Sequence, residues 1–186
     1  MSDKSEAPSR DQLALIEQIH ELLERARVEH WLYGGWAVDF RLGTITRPHS
    51  DIDMLIWGKD ANRVRVALRE LGYKVEDDSR YPDEMFHAYT GDQHISFTFL
   101  ERNGLGQIIT PGRWSDWPWP EGTFSPETVT LEGVACPVVS AEAMLDTKEN
   151  MPKHPAGRPL REHDRADIVL LRRLLNGDGE KAEGHF

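Results

Sequence analysis

The stretch Trp31–Trp57, WLYGGWAVDFRLGTITRPHSDIDMLIW, decides how this chain is read. Trp31-Leu32-Tyr33 is a short apolar run that ends at Gly34-Gly35. Trp36 to Leu42 reads as a short helix stopped by Gly43, and Thr44 to Ser50 as a polar loop in which Pro48 forbids regular pairing. Asp51 to Trp57 is a second apolar run, a strand, and it carries Asp51 and Asp53. Strand residues two apart share a face, so these carboxylates project side by side, about 7 Å apart along the backbone. Two like charges in an apolar strand cost several kcal/mol unless a cation or hydrogen bonds compensate. Mg²⁺ takes oxygen ligands and shares them with substrate phosphates. The pattern points to metal-assisted phosphate chemistry, with Asp51 and Asp53 as metal ligands and catalytic residues.

Around that pair lie weaker signals. Gly34-Gly35 directly before a helix would let backbone N–H groups approach a phosphate, although a plain turn also explains two glycines. Arg47 and His49 sit just before the carboxylates. An arginine there could grip a triphosphate or simply decorate a loop. Asp39, in the short helix, faces the site or is solvated.

Outward from this centre the chain alternates helix and strand signals. Ser9-Arg10-Asp11-Gln12 has the form of a capping box. After it Leu13, Ile16, Ile19, Leu23 and Ala26 recur at helical spacing, widened by Leu15 and Leu22, to a helix end near Val28. Asp60 opens a helix with Val64, Ala67, Leu68 and Leu71 on one side and Gly72 as its stop. Tyr73 to Val75 reads as a strand. Met85–Tyr89 and Ile95–Leu100 read as a hairpin around Thr90-Gly91-Asp92-Gln93, and Val129–Leu131 and Val134–Val139 as another around Glu132-Gly133. Residues 103–128, rich in glycine, proline and tryptophan, resist assignment. Ser140 caps a helix over Ala141–Asn150, a proline-rich linker follows over Met151–Pro159, and Arg161–Leu175 is the last helix. The expectation is an α+β fold, a mixed sheet of about five strands flanked by helices, with a short C-terminal helical part.

Composition narrows the function classes. The 186 residues are 39% hydrophobic and 29% charged, a globular balance. No apolar run is long enough to span a bilayer, and the first residues lack the apolar region of a signal peptide. The single cysteine, Cys136, excludes an internal disulfide; within Val-Ala-Cys-Pro-Val-Val it reads as a buried, inert thiol rather than a nucleophile. A cytoplasmic location is the expectation. The net charge of −10 disfavours nucleic-acid backbones and suits a cationic small molecule.

Gly34-Gly35-Trp36-Ala37-Val38-Asp39, Arg41-Leu42-Gly43, Arg47, His49 and Asp51-Ile52-Asp53 together resemble the signature of the aminoglycoside 2″-nucleotidyltransferases and the related lincosamide nucleotidyltransferases, of the DNA polymerase β-like superfamily. Weaker similarity runs through the second helix, the Gly91-Asp92 turn, Ser140–Lys148 and His163–Ile168. The resemblance implies a nucleotidyltransferase-like core over 9–139, a helical part packed on it over 140–176, a disordered N-terminus over 1–8 and a flexible tail over 177–186. It implies transfer of a nucleoside monophosphate from a nucleoside triphosphate, ATP, to a hydroxyl of a small, aminoglycoside-like acceptor, with Mg²⁺ as cofactor. Asp51 and Asp53 would bind metal, Gly34 and Gly35 would cradle the triphosphate, and Arg47 and Lys148 would neutralise it. Lys148 is equally well read as a solvent-exposed lysine. For Asp164 and Asp167, capping, ion pairing or packing is the expected role.

One position departs from the family pattern. The family's third carboxylate falls on Ser96, and a hydroxyl cannot replace an acceptor-only carboxylate. His94, on the same strand face, is the candidate substitute base; a surface histidine of a hairpin is the alternative. Trp114, Asp116 and Trp117 are candidate substrate contacts through stacking and charge pairing, against the reading that at least two of Trp114, Trp117 and Trp119 patch the core. Two further readings stay open: an impaired relative that binds a nucleotide or small ligand without turnover, and a toxin-like nucleotidyltransferase acting on RNA or protein.

Overall fold

The computed structural model describes residues 3–177, with side chains from Ser9 onward. In chain order the elements are α1 (Asp3–Arg25), β1 (His30–Tyr33), α2 (Gly34–Leu42), β2 (Ile52–Trp57), α3 (Ala61–Glu70), β3 (Lys74–Asp77), β4 (Met85–Thr90), β5 (Gln93–Arg102), β6 (Ile108–Ile109), β7 (Thr128–Leu131), β8 (Val134–Pro137), α4 (Ala141–Asn150) and α5 (Glu162–Leu175). One six-stranded sheet has the order β1-β2-β5-β4-β3, with β6 added to the end of β5. β2 and β5 run parallel; the other pairings in the sheet are antiparallel. β7 and β8 form a separate hairpin, and Leu32 bridges to Val138 beyond it.

The register explains which side of the sheet is core. Ile52, Ile95 and Ala88 align across β2, β5 and β4, as do Met54, Phe97 and Phe86; every one of these six is fully buried. Phe86 and Phe97 stack at 4.8 Å. α3 covers this face: Val64 and Leu68 are buried, and the Arg65 guanidinium lies 4.5 Å from the centre of the Phe86 ring. Because side chains alternate along a strand, the opposite face carries another set in register, with Tyr33, Asp53, Ser96 and His87 in one row. That second face is the floor of the site.

Several boundaries differ from the sequence expectation. α1 begins at Asp3, ahead of the Ser9 capping box, and Ser9 lies buried inside the helix. The expected disordered stretch is therefore helical from Asp3; residues 1, 2 and 178–186 lie outside the described part. Asp60 precedes α3 without a side-chain capping bond, and Leu71 is 49% exposed, so the apolar stripe of α3 ends at Leu68. Elsewhere local chemistry acted as read. The Ser140 hydroxyl accepts from the Ala143 N–H at the start of α4. Glu132 and Gly133, with φ of 47° and 88°, make the two-residue turn between β7 and β8. Cys136 is fully buried, and burial pushes its thiol up to about 12. Among the described residues no helix is long and apolar enough to cross a membrane.

Candidate active site

Asp53 is the middle residue of the sheet-floor row Tyr33–Asp53–Ser96, and Asp51 stands one residue before β2. Both line a cleft of about 370 Å³. The Ser96 hydroxyl donates to Asp53 Oδ1 at 2.6 Å, so the residue at the third-acid position holds the second aspartate in place. Burial, and then the charge of Asp51, raise the Asp53 carboxyl to about 6. Among the described residues no lysine, arginine or histidine ion-pairs with either aspartate; Lys148 and Arg161 act on Asp53 only through space. Two coupled carboxylates without a cationic partner, open to one cleft, fit a hard divalent cation.

Gly34 makes the approach to Asp53 possible. Its φ is +70°, and a Cβ on it would overlap the Asp53 carboxylate. A Cβ on Gly35 would fall 2.5 Å from His49 Nδ1 and 2.6 Å from an Arg47 guanidinium nitrogen. The two glycines thus lie where the chain turns from β1 into α2 against three polar side chains. Gly34→Ala is expected to lower stability by more than about 1 kcal/mol and to displace Asp53; a thermal melt and a metal titration would check both effects.

The loop between α2 and β2 is shaped from beneath by Asp39. This residue is fully buried, neither in the cleft nor solvated. It accepts from the Thr46 hydroxyl and from His49 Nε2, both at 2.6 Å. His49 Nδ1 then accepts from Arg47 at 3.0 Å, which fixes the tautomer and aims the arginine. Arg41, conspicuous in the sequence signature, points elsewhere: its guanidinium donates to the Val138 and Val139 carbonyls and docks α2 on the end of the β8 segment.

The far wall is built on two buried carboxylates of α5. Asp164 pairs with Lys148 at 3.2 Å, Arg158 at 2.8 Å and Arg161 at 3.0 Å, and accepts from the Arg161 N–H as a helix cap. Asp167 pairs with Lys148 at 2.9 Å and Arg47 at 3.4 Å. Burial alone would raise the Asp164 carboxyl, but the hydrogen bonds from Arg161 and Arg158 hold it well below the usual carboxylate range. Capping and ion pairing are therefore what Asp164 and Asp167 do. Lys148 is buried at this wall, not solvent-exposed. Arg158 and Arg161 were missed in the sequence because a proline-rich linker and a helix start give arginine no diagnostic spacing.

His94 shares the Ser96 face of β5 but stands outside the cleft lining. Asp78 Oδ2 and His87 Nε2 are 2.9 Å apart, and His87 Nδ1 and His94 Nε2 are 3.1 Å apart. With His87 donating to Asp78, its Nδ1 accepts from His94, and His94 Nδ1 keeps a free lone pair. Burial, then the neighbouring His87, lower the His94 pKa, against a smaller opposite pull from Asp51. The His87–Asp78 chain behind it has no sequence signal, since it depends on the β4–β5 register. His94 itself is half-buried rather than a surface residue.

The aromatic segment corrects one expectation. Trp114, Trp117 and Trp119 all line the cleft, and only Trp119 packs against the core cluster, so core patching does not account for two of them. Asp116 is exposed and turned to His154 at 2.9 Å, outside the cleft lining.

The fold is shared with solved nucleotidyltransferases. A crystal structure of ANT(2″)-Ia in complex with adenylyl-2″-tobramycin matches with a TM-score of 0.69 at 23% identity, covering 90% of this chain and 91% of that one. The lincosamide antibiotic adenylyltransferase LnuA, lincomycin-bound, matches with a TM-score of 0.63 at 25% identity over 84% of this chain and 94% of that one. The family model for aminoglycoside-2″-adenylyltransferase matches residues 15–171, and the chain belongs to that family. A 2″-aminoglycoside nucleotidyltransferase of Klebsiella pneumoniae is 35% identical over 82 residues, 44% of this chain and 45% of the relative. A lincosamide resistance protein of Staphylococcus haemolyticus is 40% identical over 58 residues, 31% of this chain and 36% of that protein. The chain thus aligns with less than half the length of these curated relatives.

Proposed function

We propose that this protein transfers a nucleoside monophosphate from ATP to a hydroxyl of a small molecule, with Mg²⁺ held by Asp51 and Asp53. One observation carries the reading: two carboxylates without cationic partners face a cluster of four cations, Arg47, Lys148, Arg158 and Arg161, across one cleft. A bare phosphate site needs only the cations; the opposed pair adds a place for a divalent ion. When bound, that ion would neutralise charge on the phosphates and acidify the attacking hydroxyl.

The chain's own residues divide the remaining work. The cation cluster binds the triphosphate, and its buried aspartates keep the cations aimed and lower the cost of ordering them on binding. Gly34 and Gly35 let the start of α2 approach the phosphates. Ser96 fixes the Asp53 carboxylate. The acceptor oxygen forms a bond to the α-phosphorus, the bond to the bridging oxygen breaks, and pyrophosphate leaves. His94 Nδ1 takes the hydroxyl proton, and the positive charge it gains is stabilised through His87 by Asp78. The Asp78 carboxyl is pulled down to about 2, first by its hydrogen bond from His87, and so remains ionised through the working range.

His94→Ala is expected to lower kcat by about 10²-fold or more, and His87→Ala by less. Because His94 works as the neutral ring and its pKa is lowered from 6.5, the rate should hold at neutral pH and fall as the ring protonates in acid. Because Asp53 also titrates on the acid side, the acid limb alone does not decide the matter; a His94→Ala variant with unchanged kcat at neutral pH would remove His94 from the reaction. The function itself is tested by calorimetry and pyrophosphate release. ATP should bind more tightly with Mg²⁺ than with chelator, and release should require an acceptor. Ser96 favours one other reading, a relative that binds nucleotide without turnover; gain of turnover on Ser96→Asp in an otherwise silent protein would select it.

A further inference from the structure

We propose that His20, His30 and Cys136 form a Zn²⁺ site on the side of the sheet away from the cleft, with Glu24 as the fourth ligand. One ligand atom from each of the three residues lies within 4.8 Å of the other two, and His20 Nδ1 and His30 Nε2 are 2.8 Å apart. The residues come from three elements: His20 from α1, His30 from the start of β1 and Cys136 from β8. His30 aligns with Ile56, and Leu32 with Met54, on the core face of the sheet, opposite the face that carries Asp53. His30 and Cys136 are buried and His20 is half-buried, which leaves an ion a way in along α1. The site stands independently of the chemistry in the cleft.

The groups that would support the ligands are already in place. His30 Nδ1 lies 2.8 Å from the Val28 carbonyl. A carbonyl only accepts, so Nδ1 carries the proton and Nε2 turns its lone pair to the cluster. The Leu32 N–H is directed at the Cys136 sulfur, a hydrogen bond of the kind that supports a metal-bound thiolate. Glu24 stands one turn after His20 on the same side of α1. It is exposed, and its charge reaches both His30 and Cys136. A hydrogen-bonded pair of imidazoles satisfies itself; it does not account for a buried sulfur brought to the same point from a third element.

The donor set selects the metal. Two imidazoles, a thiolate and a carboxylate suit tetrahedral Zn²⁺, whereas Mg²⁺ takes oxygen ligands and belongs with Asp51 and Asp53. Zinc bonds of about 2.0–2.1 Å to nitrogen and about 2.3 Å to sulfur set the two nitrogens about 3.3 Å apart and each about 3.6 Å from the sulfur. The rings therefore part by about half an ångström and the thiol closes by about one at most, a matter of side-chain rotation. Binding breaks the S–H bond and releases that proton to solvent. The proton that His20 Nδ1 shares with His30 moves to His20 Nε2, so both rings stay neutral. The ion then ties α1 to β1 and to the β7–β8 hairpin.

The test uses untagged full-length protein, stripped with chelator, returned to Mg²⁺ buffer and titrated with Co²⁺ and then Zn²⁺. Cys136 is the single cysteine, so a thiolate-to-cobalt charge-transfer band in the near ultraviolet reports this site alone. The expected result is one Co²⁺ per chain with that band and with visible bands of tetrahedral intensity, displaced by one equivalent of Zn²⁺. Zinc should bind with a Kd below about 1 μM and, at about a hundredfold excess over Kd, raise the melting temperature by about 5 °C or more. His20→Ala should weaken Zn²⁺ at least about 100-fold and Glu24→Gln about tenfold, Cys136→Ala should abolish the charge-transfer band, and Asp53→Asn should keep it. The wild-type spectrum and the half-buried His20 decide the question even where Cys136→Ala does not fold. Zinc that binds without the sulfur band, zinc held equally well by His20→Ala, or no zinc bound at tens of micromolar overturns the site.

Discussion

Asp53→Asn is expected to abolish nucleotidyl transfer while making the metal-free protein more stable. Loss of a direct metal ligand should reduce kcat/KM by at least about 10²-fold, the upper range seen for merely supporting groups around metals. The stability gain has a separate origin. Burial first, and then Asp51, raise the Asp53 carboxyl from 3.8 to about 6. A carboxyl whose folded pKa lies above its unfolded value favours folding while protonated, and that contribution disappears as pH rises through the interval between them. At neutral pH the ionised group therefore opposes folding by on the order of 1–3 kcal/mol, and asparagine removes this opposition. In chelator, Asp53→Asn should melt a few degrees higher than wild type. Mg²⁺ should raise the melting temperature of the wild type and leave the variant nearly unchanged. A variant that melts lower in chelator would show that the Asp53 charge is already compensated inside the fold.

The second large effect is expected at Asp164. Replacing it by asparagine leaves Lys148, Arg158 and Arg161 crowded together with one fewer counter-charge, while the amide oxygen can still accept the Arg161 N–H that caps α5. Breaking a buried ion network from one side typically costs about 3–5 kcal/mol. The folded carboxyl lies far below its ordinary value, so its contribution is fully present above about pH 4 and is lost as pH falls below that. Urea midpoints of wild type and Asp164→Asn should therefore differ most at neutral pH and converge in acid. The KM for ATP should rise about tenfold or more, with kcat changing less, because the cations still exist and are only misaimed. Unchanged ATP affinity would mean that this wall does not receive the triphosphate.

How much of this site was legible in the sequence follows from which forces act locally. The β1 strand, the glycine turn, α2 and the Asp-x-Asp strand form one contiguous unit, so periodicity and turn chemistry reveal it before any tertiary contact is known. Gly34 was readable for the same reason, and the structure adds that it makes room for Asp53. Lys148 was ambiguous because helical position alone cannot say what lies opposite; α5 supplies Asp164 and Asp167, and they make it buried. Asp39 was misplaced since its partners, Thr46 and His49, belong to a loop whose path the sequence does not specify. His87 and Asp78 carry no motif at all: they reach His94 only because β4 pairs with β5 in one register. Asp116 lies outside the cleft lining because the linker after α4 brings His154 to it, a contact across 38 residues that spacing cannot reveal.

The most direct test of the account follows the phosphorus. The protein, Mg²⁺ and a turned-over acceptor are incubated in parallel with ATP labelled at the α-phosphate and ATP labelled at the γ-phosphate. The account predicts that α-label moves to the acceptor in step with pyrophosphate release, that γ-label appears only in pyrophosphate, and that Asp51→Asn and Asp53→Asn each stop the transfer. Transfer of γ-label to the acceptor, or α-label transfer that survives loss of both aspartates, would contradict it.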